Sequence, residues 1–225
     1  MRQALEKRIM FDKTLRQDVL DELDFDPSLD STNIGVTVHD GVATLSGFVS
    51  SYAQKLAAVS ATRRVKGVQA IADEIVVRHP EDKKTSDDQI AKRALDILKW
   101  DVLVPPGAID VTVRNGMVTL SGEVRWHYQR SSAESDVRKL SGVQAVLNNI
   151  TIKPQPIAAN VRDKIESALR RSAELEAKEI KVRVAEGGEV YLDGRVHSLK
   201  ESMAAANAAW AAPGVAQVHN RLVVA

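Results

Sequence analysis

The chain contains no cysteine, which excludes disulfides, cysteine nucleophiles and thiolate metal sites together. Aromatic residues are scarce: three Trp, three Tyr and three Phe in 225 residues. An excess of charge of one sign is also missing. Lys plus Arg number 31 against 30 for Asp plus Glu, a net charge of +1. The whole molecule therefore has no general attraction for nucleic acid or anionic lipid, and any such binding must come from a local patch. No stretch approaches the roughly 20 apolar residues of a membrane span. The first residues offer only the apolar run Ile9-Met10-Phe11, short of the about seven that a secretory signal needs. The expectation is a cytoplasmic protein, periplasmic only if a signal has been removed.

What remains is ordinary for a globular chain, with 44% hydrophobic and 27% charged residues. The length allows one large domain or two to three small ones. An internal repeat decides between them. Leu45-Ser46-Gly47, Leu120-Ser121-Gly122 and Leu192-Asp193-Gly194 each continue as Gly-x-Val, with Val49, Val124 and Val196. Twenty residues after each glycine stands a Gly-Val pair, Gly67-Val68, Gly142-Val143 and Gly214-Val215. Upstream lie alternating segments, Ile34/Val36/Val38, Ile109/Val111/Val113 and Ile180/Val182/Val184, whose period of two marks half-buried strands.

Between these strands stand Asp40-Gly41, Asn115-Gly116 and Gly187-Gly188, dipeptides that suit the positive φ angles of a type I′ turn. The returning strands place Gly47, Gly122 and Gly194 on the inward face, where close approach of a helix would exclude a side chain. A helix follows from about Gln54, Gln129 and Glu201, with Ala58, Ala133 and Ala205 in equivalent places. It is expected to end at the glycine of each Gly-Val pair as its C′ residue. A last strand carries Ile71/Ile75/Val77, Val146/Ile150/Ile152 and Val218/Leu222/Val224.

A further helix precedes each first strand. Ile90, Ala94, Ile97 and Leu98 form one apolar face, as do Val161, Ile165, Ala168 and Leu169. The first copy has Leu15, Val19 and Leu23, with Glu22 interrupting. The fold class is therefore α+β: three tandem α-β-β-α-β two-layer sandwiches, each with a mixed three-stranded sheet and two helices. The domains are expected at 12–79, 87–153 and 157–225, joined by polar, proline-containing linkers at 78–86 and 153–156.

The second copy reads Asn115-Gly-Met-Val-Thr-Leu-Ser-Gly-Glu-Val124, then Gly142-Val-Gln-Ala-Val-Leu-Asn-Asn-Ile-Thr-Ile152. This pattern resembles the BON domain, a family named for bacterial osmotically induced, outer-membrane and nodulation-type proteins. The resemblance covers nearly the whole chain in three copies. It implies a non-enzymatic role in stress or osmotic response and envelope maintenance, with interaction with phospholipid. Its structural signature here is Gly41, Gly47, Gly67, Gly116, Gly122, Gly142, Gly188, Gly194 and Gly214.

The residues offer little chemistry. Ser46 and Ser121 are replaced by Asp193 in the third copy, so they read as strand positions rather than nucleophiles. The histidines His39, His79, His127, His197 and His219 show no metal-ligand spacing and read as lone surface residues. There is no P-loop and no G-x-G-x-x-G. No catalytic residue, cofactor or metal is expected, and no nucleic-acid partner. Asp73, Asn148 and Asn220 in the last strands read as side chains satisfying a nearby backbone group.

Two candidate binding surfaces stand out. The segment Arg125-Trp126-His127-Tyr128-Gln129-Arg130 concentrates aromatics and arginines, suiting anionic phospholipid headgroups, a protein partner or an anion. The alternative is that Trp126 or Tyr128 packs into a domain interface. Basic residues also end the later helices, Arg63, Arg64 and Lys66 in the first copy and Arg138 and Lys139 in the second, with Trp210 at the matching place of the third. They suit either the helix dipole or a phosphate-seeking surface, while Trp210 would meet a partner or a neighbouring copy. Phe25 and Trp100, at equivalent helix ends, are expected to pack there. A cation or small-ligand sensor and self-association through exposed sheet edges are the other readings.

Overall fold

The computed structural model describes residues 2–80, 85–155, 160–172 and 179–224, and only the backbone of residues 2–7 and 9. The first repeat runs α1 (Arg2–Phe25), β1 (Ile34–His39), β2 (Val42–Val49), α2 (Tyr52–Arg64), β3 (Ala70–Val77). The second runs α3 (Asp87–Trp100), β4 (Ile109–Arg114), β5 (Met117–Val124), α4 (His127–Val137), β6 (Ala145–Ile152). The third runs α5 (Val161–Arg171), β7 (Ile180–Val184), β8 (Glu189–Val196), α6 (Leu199–Trp210), β9 (Gln217–Val224). Three separate three-stranded sheets result, ordered β1-β2-β3, β4-β5-β6 and β7-β8-β9. Each hairpin is antiparallel, and the crossover strands β3 and β6 lie parallel to the central β2 and β5. The described residues gather into two compact units. One comprises the residues through Arg78 with Arg195–Met203 and the chain from Val223 on; the other comprises His79–Gly194 with Ala204–Leu222. Of the expected bounds, residues 157 and 225 lie outside the described residues, as does the linker stretch 81–84.

The cores form where the alternation places them. Ala43, Leu45 and Val49 are buried on β2, Val118, Leu120 and Val124 on β5, and Val190, Leu192 and Val196 on β8. Against them lie Leu15, Val19 and Leu23 from α1, Ile90, Ala94 and Leu98 from α3, and Val161, Ile165 and Leu169 from α5. One face of each sheet is thus covered and the other left open.

Three local expectations change. Gly47 and Gly122 do not make room for a helix. A Cβ on Gly47 would lie 2.0 Å from the carbonyl oxygen of Asn33, and on Gly122 2.1 Å from that of Ala108, the backbone entering the first strand. Gly194 meets the Glu179 carbonyl in the same way at 2.0 Å. All three also have positive φ. Secondly, the later helices stop before the Gly-Val pair. In α2 the C-cap is Val65 and in α4 it is Arg138. The backbone makes a further turn before Gly67 and Gly142 take positive φ. Thirdly, the third hairpin is longer. Asp40-Gly41 and Asn115-Gly116 adopt the expected positive φ pairs, but the third turn spans Glu186–Gly188 as one 3-10 turn, closed by the Ala185 N–H donating to the Glu189 carbonyl at 2.8 Å.

The two tight turns carry a clamp that the sequence pattern did not announce. The Asp87 carboxylate accepts from the N–H of Asn115 at 2.7 Å and of Gly116 at 2.9 Å. Asp12 accepts likewise from Asp40 and Gly41 at 3.0 and 3.3 Å. A helix carboxylate thus satisfies turn amides that the type I′ geometry leaves without an internal partner.

Candidate binding surfaces

Helices α2, α4 and α6 begin alike. The N3 side chain reaches back to the preceding backbone. Gln54 accepts from the Ser50 N–H, Gln129 from those of Arg125 and Trp126, and Glu201 from that of His197. Ser51 and Ser198 complete the exchange by accepting from the N3 amides. In α4 the corresponding position is Trp126, which has no acceptor to offer. Replacing a serine N-cap costs about 1 kcal/mol, so this indole breaks a local rule that the other two repeats keep, and rule-breaking positions concentrate at functional sites.

Around Trp126 the expected cluster divides. Arg125 holds its guanidinium 5.3 Å from the Trp126 ring centroid. Tyr128 is 53% exposed and does not pack inward. His127 is no lone surface residue: it stacks on Trp210, centroids 4.1 Å apart and planes within 10°. Burial and the neighbouring Arg130 charge hold its pKa below the ordinary imidazole value. Arg130 turns to the sheet and donates to the Asn148 carbonyl, while Asn148 donates to Glu134 at 2.8 Å and accepts from the Ile150 N–H. Asp73 and Asn220 accept from the amides of Ile75 and Leu222 in the same way, as expected for side chains satisfying the backbone.

The basic helix ends are partly spoken for. Arg64 donates to Glu22 at 2.6 Å and to Asp26 at 3.3 Å, which removes it as a free anion-seeking group. Arg63 approaches the Met203 sulfur at 3.5 Å. Lys66 and Lys139 are exposed and Arg138 is half-buried.

The strongest surface feature lies where packing was expected. Trp100 is 84% exposed and Phe25 81%. Trp100 opens a turn in which Val102 is 95% exposed and Leu103 48%. The turn is nonetheless fixed. The Asp101 carboxylate accepts from the Leu103 N–H at 2.8 Å and from the Ser132 hydroxyl on α4, and the Val104 N–H donates to the Asp101 carbonyl. Asp26 does the same for Ser28 beside Phe25. A helix-end aspartate therefore holds an aromatic outward in the first two repeats. The third has Arg171-Ser172 at this place.

Asp101 and Asp136 share this corner. Hydrogen bonds from Ser132 above all hold the Asp101 pKa down, whereas burial, and then the Asp101 charge, raise that of Asp136. The raised pKa means that the fold favours protonated Asp136. Its stabilising contribution is complete below the ordinary carboxylate range and is lost as pH rises through the raised value. Asp101 behaves oppositely, contributing above the ordinary range and losing its contribution as pH falls. Asp136→Asn keeps a donor toward Asp101 without the repulsion. At neutral pH it is expected to stabilise the protein by about 0.5–1 kcal/mol, discounted for partial exposure. The gain should vanish near pH 3 in thermal melts.

One group among the described residues brings cation-ligand types together: Asp12, His39 and Asp40. Both Asp12 oxygens accept turn amides, and Arg8 pairs with Asp40. These contacts make the group a turn clamp.

The family model of the BON domain matches residues 11–79, 86–154 and 158–225. The chain belongs to the BON domain family. Osmotically-inducible protein Y of Escherichia coli (strain K12) is 33% identical over 130 residues, 56% of this chain and 65% of that protein. The match thus spans just under two thirds of that relative's length. Among solved structures, CdsD, a structural protein of the Type III secretion system of Chlamydia trachomatis, matches over 94% of this chain and 92% of its own at 14% identity, with a TM-score of 0.26. In the BON repeats described above, the sheet and its buried face recur, and the differences gather at helix starts, helix ends and the open sheet faces. No helix among the described residues is long and apolar enough to cross a membrane.

Proposed function

We propose that this protein is a non-enzymatic binding module of bacterial stress or osmotic response that docks peripherally on anionic phospholipid. The observation that carries the reading is the rigid turn displaying Trp100, Val102 and Leu103 to solvent. An apolar turn held in shape by its own aspartate loses little conformational freedom when it enters an interface, and indole suits the headgroup region. Lys99 beside it is exposed and supplies attraction to anionic headgroups. The setting in stress response is supported by the family and by the osmotically-inducible relative.

Flotation with phosphatidylglycerol-containing vesicles tests the reading against pure phosphatidylcholine. The protein is expected to float with the anionic vesicles only. Withdrawing an indole from an interface forfeits about 2 kcal/mol, so Trp100→Ala should weaken partitioning about thirty-fold. Equal behaviour with both vesicle types, or no binding to either, would overturn it.

A further inference from the structure

The open faces of the three sheets differ more than their cores. At equivalent cross-strand positions the first sheet carries Thr37, Thr44 and Ala72, and the second Thr112, Thr119 and Leu147. The third places Arg183 opposite Tyr191, and Tyr191 stacks on His219 with centroids 4.4 Å apart and planes within 14°. The Arg183 guanidinium carbon lies 3.9 Å from the tyrosine ring centroid, and that of Arg221 lies 4.8 Å away. The tyrosine hydroxyl donates to Glu189 at 2.7 Å, and His219 Nε2 lies 3.6 Å from the same carboxylate.

The only carboxylate drawn into this cluster among the described residues is thereby occupied by the phenol and the imidazole. Neither Arg183 nor Arg221 has a carboxylate partner among the described residues. Both guanidiniums are positioned by the ring, so less freedom remains to be lost when they engage an anion. Each keeps N–H groups for a bidentate contact.

We propose that the open sheet face of the third repeat is a docking surface for an acidic segment of a partner protein. Charge complementarity selects the occupant, and the surroundings select its class. Tyr191 already has an arginine and a histidine against it, so it does not offer a free ring for stacking a nucleic-acid base, which single-strand platforms require. Beyond Arg221 on this face Val223 is 62% exposed, a single aliphatic group against the indole, valine and leucine of the Trp100 turn and too little apolar surface to anchor in acyl chains. Guanidinium forks match carboxylates geometrically. Arg183 on β7 and Arg221 on β9 stand on either side of the central β8, so one extended segment crossing the strands can present a carboxylate to each. This surface is separate from the Trp100 turn, and its occupancy does not depend on lipid docking.

The test is fluorescence anisotropy of a labelled deca-glutamate peptide with the full chain at low salt. A triple variant, Arg183→Thr, Tyr191→Thr and His219→Leu, rebuilds the row that the second repeat uses. It is expected to bind at least tenfold more weakly than the unmodified protein. The exposed single variant Arg221→Asn, taken from the equivalent Asn149, is expected to lose about fivefold with an unchanged circular dichroism spectrum. It therefore reads the surface even if the triple variant unfolds. Arg114→Gln removes one positive charge from the second repeat's sheet and should leave binding as it was. Unchanged affinity in Arg221→Asn, or an equal loss in Arg114→Gln, would overturn the assignment. So would a stronger dependence of a ten-residue oligothymidylate, or of phosphatidylglycerol vesicles, on Arg183 and Arg221.

Discussion

Gly122→Ala is expected to unfold the second repeat's sheet at ordinary temperatures. Two separate penalties meet at this position. The backbone holds φ at +131°, which an alanine adopts only with strain of about 1–3 kcal/mol. Its Cβ would also sit 2.1 Å from the Ala108 carbonyl oxygen and 3.2 Å from the Ile109 Cα. Those are backbone atoms entering β4, so relief requires the first strand to leave its register. The total loss should exceed about 4 kcal/mol, a size reserved for a few mechanisms of this kind. Gly107→Ala separates the two penalties. Gly107 has φ +70°, and nothing lies within 4 Å of an added Cβ. It should cost only about 1 kcal/mol. Hydrogen exchange at the β4 and β5 amides, with thermal melts of both variants, reads the difference. Similar melting of the two would show that conformation alone matters.

Leu120→Ala is the second large effect. Leu120 is fully buried at the centre of β5, with Val111 and Asn148 as its cross-strand neighbours. Truncating such a leucine removes apolar burial and leaves a cavity, at a cost of about 2–5 kcal/mol. Thr119, one residue earlier, faces the open side beside Thr112. Thr119→Ala should change stability by no more than about 0.5 kcal/mol. Denaturant melts monitored by far-ultraviolet circular dichroism should show a large fall in midpoint for the first variant and almost none for the second. Comparable losses would mean that the open face is covered.

These contrasts mark what could be read from the chain alone. Leucines at 45, 120 and 192 and their valine neighbours had to face inward because a strand offers only two sides and the helices supply one partner. The two-residue turns followed from Asp40-Gly41 and Asn115-Gly116. The third turn escaped because one added residue is invisible to a pattern anchored on Gly194. Gly47, Gly122 and Gly194 stand where the motif spacing puts them, but the obstacle beside each is backbone entering the first strand, whose path no side-chain pattern records.

The candidate surfaces were legible in composition and not in disposition. Trp126 and its neighbours drew notice through aromatic crowding. Trp100 and Phe25 stand at helix ends where aromatics usually pack, yet both are exposed beside turns that Asp101 and Asp26 hold by hydrogen bonds. The stack of His127 on Trp210 joins residues 83 positions apart, beyond any local periodicity. The arginine–tyrosine–histidine row was available in principle. Aligning the outward positions, and not just the inward ones, sets Arg183 and Tyr191 against pairs of threonines.

The two-layer architecture has a consequence for how such a protein changes over generations. A substitution on the open side of a sheet meets solvent on one side and backbone on the other, so it rarely disturbs the residues that keep the unit folded. Duplication then supplies spare copies, and each can acquire a new recognition surface through single, individually tolerable replacements. The helix-covered sides drift slowly together, while the uncovered sides are free to part company.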